Sequence, residues 1–178
     1  MKPIRVVSRR RVYQGWSTLY VDDLELEGRP TTYPHEVVSL NCPYGVAVLP
    51  FLDQDTVLLL RQYRHPVQRV LLEIVQGGGH DNETPKAAAL RELLEETGYT
   101  AELTHLGTMY PLAGFAAHAI EVYEGHAMRK VAEAEQLPEE RFEIVTMPYK
   151  TLVDQIAAGE HCESTLAFAV LKHELTRR

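Results

Sequence analysis

The stretch GGGHDNETPKAAALRELLEETGY, residues 77–99, passes from a glycine-rich loop into a helical pattern and out again at a second glycine. Pro85 suits the first turn of a helix and Gly98 stands where a helix ends, so the spacing predicts a helix over 85–97. Ala87, Leu90, Leu93 and Leu94 fall on one face, with Glu92, Glu95 and Glu96 on the opposite one. At about 100° per residue the three glutamates lie within roughly a quarter-turn. Glu92 meets Glu95 at i,i+3 and Glu96 at i,i+4, and like charges at those spacings cost about 0.2–0.5 kcal/mol each. Either solvent dilutes that cost or a cation removes it.

On both sides of this helix the pattern is that of strands. Residues 10–40 alternate, with turn chemistry at Asp22-Asp23 and at Glu27-Gly28-Arg29-Pro30. YGVAVLPFL and TVLLLRQYR, separated by DQD, read as a buried hairpin. LLEIV (71–75) reads as a further strand that ends at the triple glycine. After the helix come AELTHLGTMY and HAIEVYEGHAM, an acidic loop AEAEQLPEER, then FEIVTMP. A terminal amphipathic helix starts near Tyr149 and breaks near Gly159-Glu160. Strands flanking a helix, with another helix at the end, predict an α/β or α+β sandwich and not a βαβα repeat.

The chain is 178 residues long with a formal charge of −7, the size of one domain. The negative balance argues against nucleic acid as partner, and Arg9-Arg10-Arg11 is too short a run to alter that. Cys42 and Cys162 make neither a disulfide framework nor a metal-finger spacing. The N-terminus lacks the apolar core of a signal peptide, and no stretch approaches the ~20 apolar residues of a membrane span. A cytoplasmic protein without membrane partners is the expectation.

Three motifs fail on residues 77–99. No Gly-Lys-Ser/Thr follows a glycine at P-loop spacing. Asn82 stands where the dinucleotide fingerprint needs its third glycine. An EF-hand begun at Asp81 puts Lys86 where the turn glycine belongs. What the stretch resembles is the Nudix box: Gly77, then Glu83, then Arg91, Glu92, Leu93, Glu95, Glu96, Gly98 and Tyr99 occupy every fixed position. The resemblance implies the Nudix fold, a mixed-sheet α/β/α sandwich, here with an N-terminal β-rich dimerisation region (residues 1–40) ahead of the hydrolase domain (41–178). It implies that Glu92, Glu95 and Glu96, with a loop carbonyl assigned to Gln76, hold Mg²⁺ or Mn²⁺ through hard oxygens. Arg91 then holds the carboxylates in place, and Glu83 orders the loop.

The wider chain is similar to the ADP-ribose pyrophosphatase and nucleoside-diphosphate-sugar hydrolase branch. Arg61, Gln62, Tyr63 and Arg64 match one of its segments. Glu73 and Gly77 match a second, in which Val75 and Gln76 replace the usual Pro-Ala. The branch implies a homodimer exchanging its N-terminal region, and a nucleotide-sugar substrate contacted by Arg64, Arg61 and Glu73. Trp16 is a candidate to stack on the base, with core or interface packing as the alternative. Ala113-Gly114 is retained from a Ser-Pro-Gly segment, and His118 stands where that segment usually carries a glutamate, so Gly114 and His118 are further substrate candidates. The catalytic base is expected on the acidic loop, at Glu140 or Glu139. Other readings keep the chemistry and change the substrate to NADH, dinucleoside polyphosphates or nucleoside triphosphates, or keep the fold as a nucleotide sensor without catalysis.

Overall fold

The structure is a computed structural model that describes residues 4–28, 31–135, 142–160 and 163–177. Its strands are β1 (Arg5–Gln14), β2 (Ser17–Glu25), β3 (Tyr33–Leu40), β4 (Gly45–Pro50), β5 (Thr56–Arg64), β6 (Arg69–Glu73), β7 (Val75–Gly78), β8 (Tyr99–Met109), β9 (Ile120–Lys130) and β10 (Phe142–Pro148). Its helices are α1 (Pro85–Thr97), α2 (Tyr149–Ala157) and α3 (Ser164–Thr176). No helix among the described residues is long and apolar enough to cross a membrane.

The chain divides into two compact units, Met1–Pro43 with Leu112–His118, and Tyr44–Pro111 with Ala119–Arg178. The first is an antiparallel meander, β1-β2-β3. β1 is exposed along its whole length. Cross-strand ion pairs fasten it: Arg9 donates to both oxygens of Asp22, at 2.6 and 2.7 Å, and Arg5 reaches Glu25. The Arg9 guanidinium holds the Asp22 carboxyl below its ordinary range. The 112–118 segment joins this unit through Val38, whose N–H donates to the Phe115 carbonyl at 2.9 Å.

The second unit holds two sheets, β7-β4-β9-β8 and β10-β5-β6. β4 runs parallel to β9 and antiparallel to β7, so the first of these sheets is mixed. Every residue of β4 is buried, and its side chains alternate between two apolar clusters. Val46 and Val48 pack with Ala88, Ala89 and Leu93 of α1. Ala47 and Leu49 pack with Leu152, Leu166 and Ala169 of α2 and α3. A strand covered on both faces reads as an unbroken apolar run, and the result is the expected α/β/α arrangement.

Two expectations are corrected. YGVAVLPFL and TVLLLRQYR do not form an extended hairpin: β4 and β5 lie in different sheets, and the turn is closed by the Phe51–Val57 bridge and by the Leu52 N–H donating to the Thr56 carbonyl at 2.9 Å. The continuous runs carried no alternation to show which neighbour each strand takes. Likewise the strand 71–75 is divided. β6 pairs with β5, the chain changes sheets at the fully buried Ile74, and β7 carries Gly77 and Gly78 into pairing with β4.

Candidate active site

Helix α1 forms where the sequence places it. The Thr84 side chain accepts from the Ala87 N–H, Pro85 takes the first turn, and Gly98 closes the end with φ of 77°. Its buried residues are Ala88, Ala89, Leu93 and Thr97, while Ala87 and Leu94 are exposed. This corrects the expected face. At about 100° per residue Glu92 and Glu96 fall in the arc between Ala88 and Ala89, and the small alanines let that face settle against the sheet. The glutamates border the core instead of facing away from it.

The glycine loop makes room for them. A Cβ on Gly77 would stand 2.0 Å from the Glu92 carboxyl carbon and 2.3 Å from both its oxygens. A Cβ on Gly79 would stand 2.1 Å from the ring of Tyr44. Tyr44 latches the loop from the strand side: its carbonyl accepts from the Gly79 N–H at 2.9 Å, and its hydroxyl donates to the Glu83 carbonyl. Burial, and after it the Glu83 charge, pushes the Tyr44 hydroxyl above its ordinary pKa. Sequence reasoning missed Tyr44, because nothing local marks a tyrosine 39 residues from its partner.

Arg91 gathers the carboxylates. Its Nε and Nη2 donate to the two oxygens of Glu83 at 3.0 and 3.1 Å. Nη1 donates to Glu92 at 2.8 Å and to Glu95 at 3.0 Å, and Nη2 also reaches the Gly78 carbonyl at 2.8 Å. The fork thus ties helix to loop, as a planar guanidinium does best. Its hydrogen bonds hold Glu83 below the ordinary carboxylate range, and Glu83 in turn raises Arg91. Glu83 also accepts from the His80 N–H at 3.1 Å, which fixes the loop's return.

A second polar group stands at the β6–β7 break. Glu73 is buried, and Arg64 donates to both its oxygens at 2.8 and 2.6 Å. The Gln76 side-chain amide donates to the same carboxylate at 2.8 Å. Glu73 is therefore committed to Arg64 and Gln76. The charges of Glu163 and Glu96 further favour the Arg64 cation, which brings Arg64 into the field of the box. Sequence reasoning missed Glu163, which caps α3 by accepting from the N–H groups of Thr165 and Leu166; glutamate is not among the residues that mark an N-cap.

Arg61 and Arg64 are not brought together. Residues three apart on a strand face opposite sides, and Arg61 pairs with the exposed Glu143 of β10 at 3.1 Å. Trp16, Gly114 and His118 belong to the first unit. Trp16 is 76% exposed at the β1–β2 turn and Gly114 is exposed. His118 is partly buried, which lowers its pKa. Glu139 and Glu140 lie outside the described residues.

Glu92, Glu95 and Glu96 are hard oxygen donors, suited to Mg²⁺ or Mn²⁺. Among the described residues no three acidic, histidine or cysteine side chains converge by themselves on one point. Mg²⁺ asks for less than that: one or two carboxylates suffice where water and substrate phosphate complete the shell. The open cradle at Gly77, which a Cβ would fill, leaves the Glu92 carboxylate against backbone. The residues fit such an ion.

The NUDIX domain family model matches residues 43–161 of this chain. The ADP-ribose pyrophosphatase of Bacillus subtilis (strain 168) is 30% identical over 169 residues, 93% of this chain and 90% of that protein. The methanol dehydrogenase activator of Bacillus methanolicus is 35% identical over 140 residues, 78% of this chain and 74% of that protein. A crystal structure of an ADP compounds hydrolase matches with a TM-score of 0.87 at 20% identity, covering 99% of this chain and 95% of that one. At that identity the match is a likeness of fold.

Proposed function

The chain belongs to the Nudix family of hydrolases, and on that premise we propose that it hydrolyses the pyrophosphate bond of ADP-ribose or another nucleoside diphosphate sugar. Mg²⁺ is the cofactor, and the products are a nucleoside monophosphate and a sugar phosphate. The observation that carries this reading is the likeness, over nearly the whole length of both chains, to an ADP-ribose pyrophosphatase.

In this reading Glu92, Glu95 and Glu96, with the Gln76 carbonyl, hold the ion, and Arg91 keeps the carboxylates in register. When bound, the ion neutralises phosphate charge and makes water a better nucleophile. Water adds across the anhydride: its oxygen bonds to one phosphorus, the bridging oxygen leaves with the other, and a carboxylate takes the proton. Glu140, or its neighbour Glu139, is the base. Arg64, held by Glu73, meets substrate phosphate with the edge of its guanidinium not engaged by that carboxylate. The test is phosphate release, coupled to a phosphatase, from ADP-ribose, other nucleotide sugars, NADH and dNTPs with Mg²⁺, using Glu96→Gln as control. Release confined to nucleotide sugars and lost in the variant is expected. Turnover of dNTPs or NADH alone would move the substrate assignment.

The same reading makes the protein a homodimer in which residues 1–40 cross to the partner and residues 41–178 form the hydrolase domain. Supporting it, β1, paired on one side only with β2, leaves Val6, Val7, Val12 and Tyr13 about half exposed, more apolar surface than an edge strand should show. Sedimentation at micromolar concentration should give twice the chain mass. A monomer would remove this part of the reading.

A further inference from the structure

We propose that Gln76 is a positioning residue, whose side chain, anchored on buried Glu73, holds the peptide that faces Glu92 and so sets the protein's affinity for its divalent ion. The inference rests on the metal assignment above and goes beyond it, because it concerns the Gln76 side chain and not its carbonyl.

The geometry depends on the change of sheet. In an uninterrupted strand residues 73 and 76 would point to opposite faces. Here β6 ends at Glu73, Ile74 carries the chain across, and β7 begins at Val75, so the two side chains meet at 2.8 Å. Glu73 is 1% exposed, and its carboxylate is an anchor with three donors: Nε and Nη2 of Arg64 and the amide of Gln76. Bonds to a buried charged acceptor are stronger than neutral ones. The anchor grips the chain one residue before Gly77, at the place where backbone and the Glu92 carboxylate come so close that a Cβ would not fit.

The β4 ladder holds this backbone from one side, with Gln76 opposite Ala47, while neither neighbour of Gln76 fixes it by its own chemistry. Val75 lacks the ring that would fix φ, and Gly77 is the freest residue of all. β7 is also an edge strand, paired only with β4. The amide tether adds a side-chain constraint to the one-sided ladder at this position, in the way outer partners orient the atoms that touch a metal.

The experiment is a Mn²⁺ titration of the full chain without substrate, following free Mn²⁺ by electron paramagnetic resonance, with thermal unfolding measured alongside. Gln76→Met keeps the length and removes the donor, and Gln76→Ala repeats the loss without the bulk. Both should weaken Mn²⁺ binding about tenfold in a protein that is still folded. A purely structural tether would lower the Tm and leave the Kd of the folded protein unchanged; a Kd within twofold of wild type in both variants overturns the proposal. Glu92→Gln separates the two levels. If it binds Mn²⁺ as tightly as wild type, or if wild type binds none, the metal assignment itself falls and the positioning role falls with it.

Discussion

Gly77→Ala is the sharpest test of the site. The added Cβ would stand 2.0 Å from the Glu92 carboxyl carbon, whereas ordinary contact begins at 3.4 Å. The difference, 3.4 − 2.0, asks the carboxylate to retreat by about 1.4 Å. It can do so, because the obstacle is the far end of a side chain. The backbone raises no objection, since Gly77 is not among the positive-φ glycines. Retreat breaks the 2.8 Å bond from Arg91 Nη1, a partly exposed ion pair worth up to about 1 kcal/mol. Alanine recovers about 0.5–1 kcal/mol of backbone entropy relative to glycine. Stability should therefore stay within about 1 kcal/mol of wild type. Function should not: a displacement on the order of 1 Å at a reacting constellation costs roughly 10²-fold. The assay is kcat for ADP-ribose under saturating Mg²⁺, with thermal unfolding of the same variant to show that it is folded. Activity within threefold of wild type in Gly77→Ala would refute the claim that the cradle positions Glu92.

The remaining predictions concern stability. Arg91 holds the Glu83 carboxyl below its reference value of 4.5, so its contribution is complete above that pH and is lost as pH falls through the folded-state value. Glu83→Gln should cost about 1 kcal/mol at pH 7, and urea titrations should show the gap to wild type narrowing below pH 4.5; a gap that widens on acidification would contradict the assignment. At Gly98, φ is +77° and a Cβ would meet the Ala132 carbonyl oxygen at 2.2 Å. That obstacle is backbone, so Gly98→Ala should cost about 2 kcal/mol or more, roughly 4–8 °C in Tm for a chain of this size. Ala127 sits at φ +50° within β9, where relief of about 1 kcal/mol offsets the entropy cost of glycine, about 0.5–1 kcal/mol. Ala127→Gly should melt within about 3 °C of wild type, and a loss as large as that of Gly98→Ala would refute the argument from φ.

The box helix was legible because its determinants are local. Thr84, Pro85 and Gly98 bound it through contacts within a turn, and the offsets from Gly77 to Gly98 are fixed along one loop and one helix. Glu83, Arg91, Glu92 and Glu95 could be grouped before any strand was placed. The buried strands could also be found, since β4 and the Val57–Leu60 half of β5 are apolar without interruption. Their partners could not. A strand covered on both faces has no polar side to report its register, so β4 and β5 looked like a hairpin and proved to lie in different sheets. The inward face of α1 was likewise misjudged from hydropathy, because Ala88 and Ala89 admit a close approach that only the sheet can reveal.

What the sequence by itself determined was the chemistry: a complete box, its helix and its hard oxygen donors, all set by spacing within a few turns of chain. What only the tertiary structure decided was which of the flanking polar residues meet. Glu73 and Gln76 join because the chain changes sheets at Ile74, Arg61 meets Glu143 because β10 pairs with β5, and Tyr44 reaches the loop from a distant strand end. Each depends on non-local pairing, whose free energy is spread over a core and leaves no mark on any single short stretch.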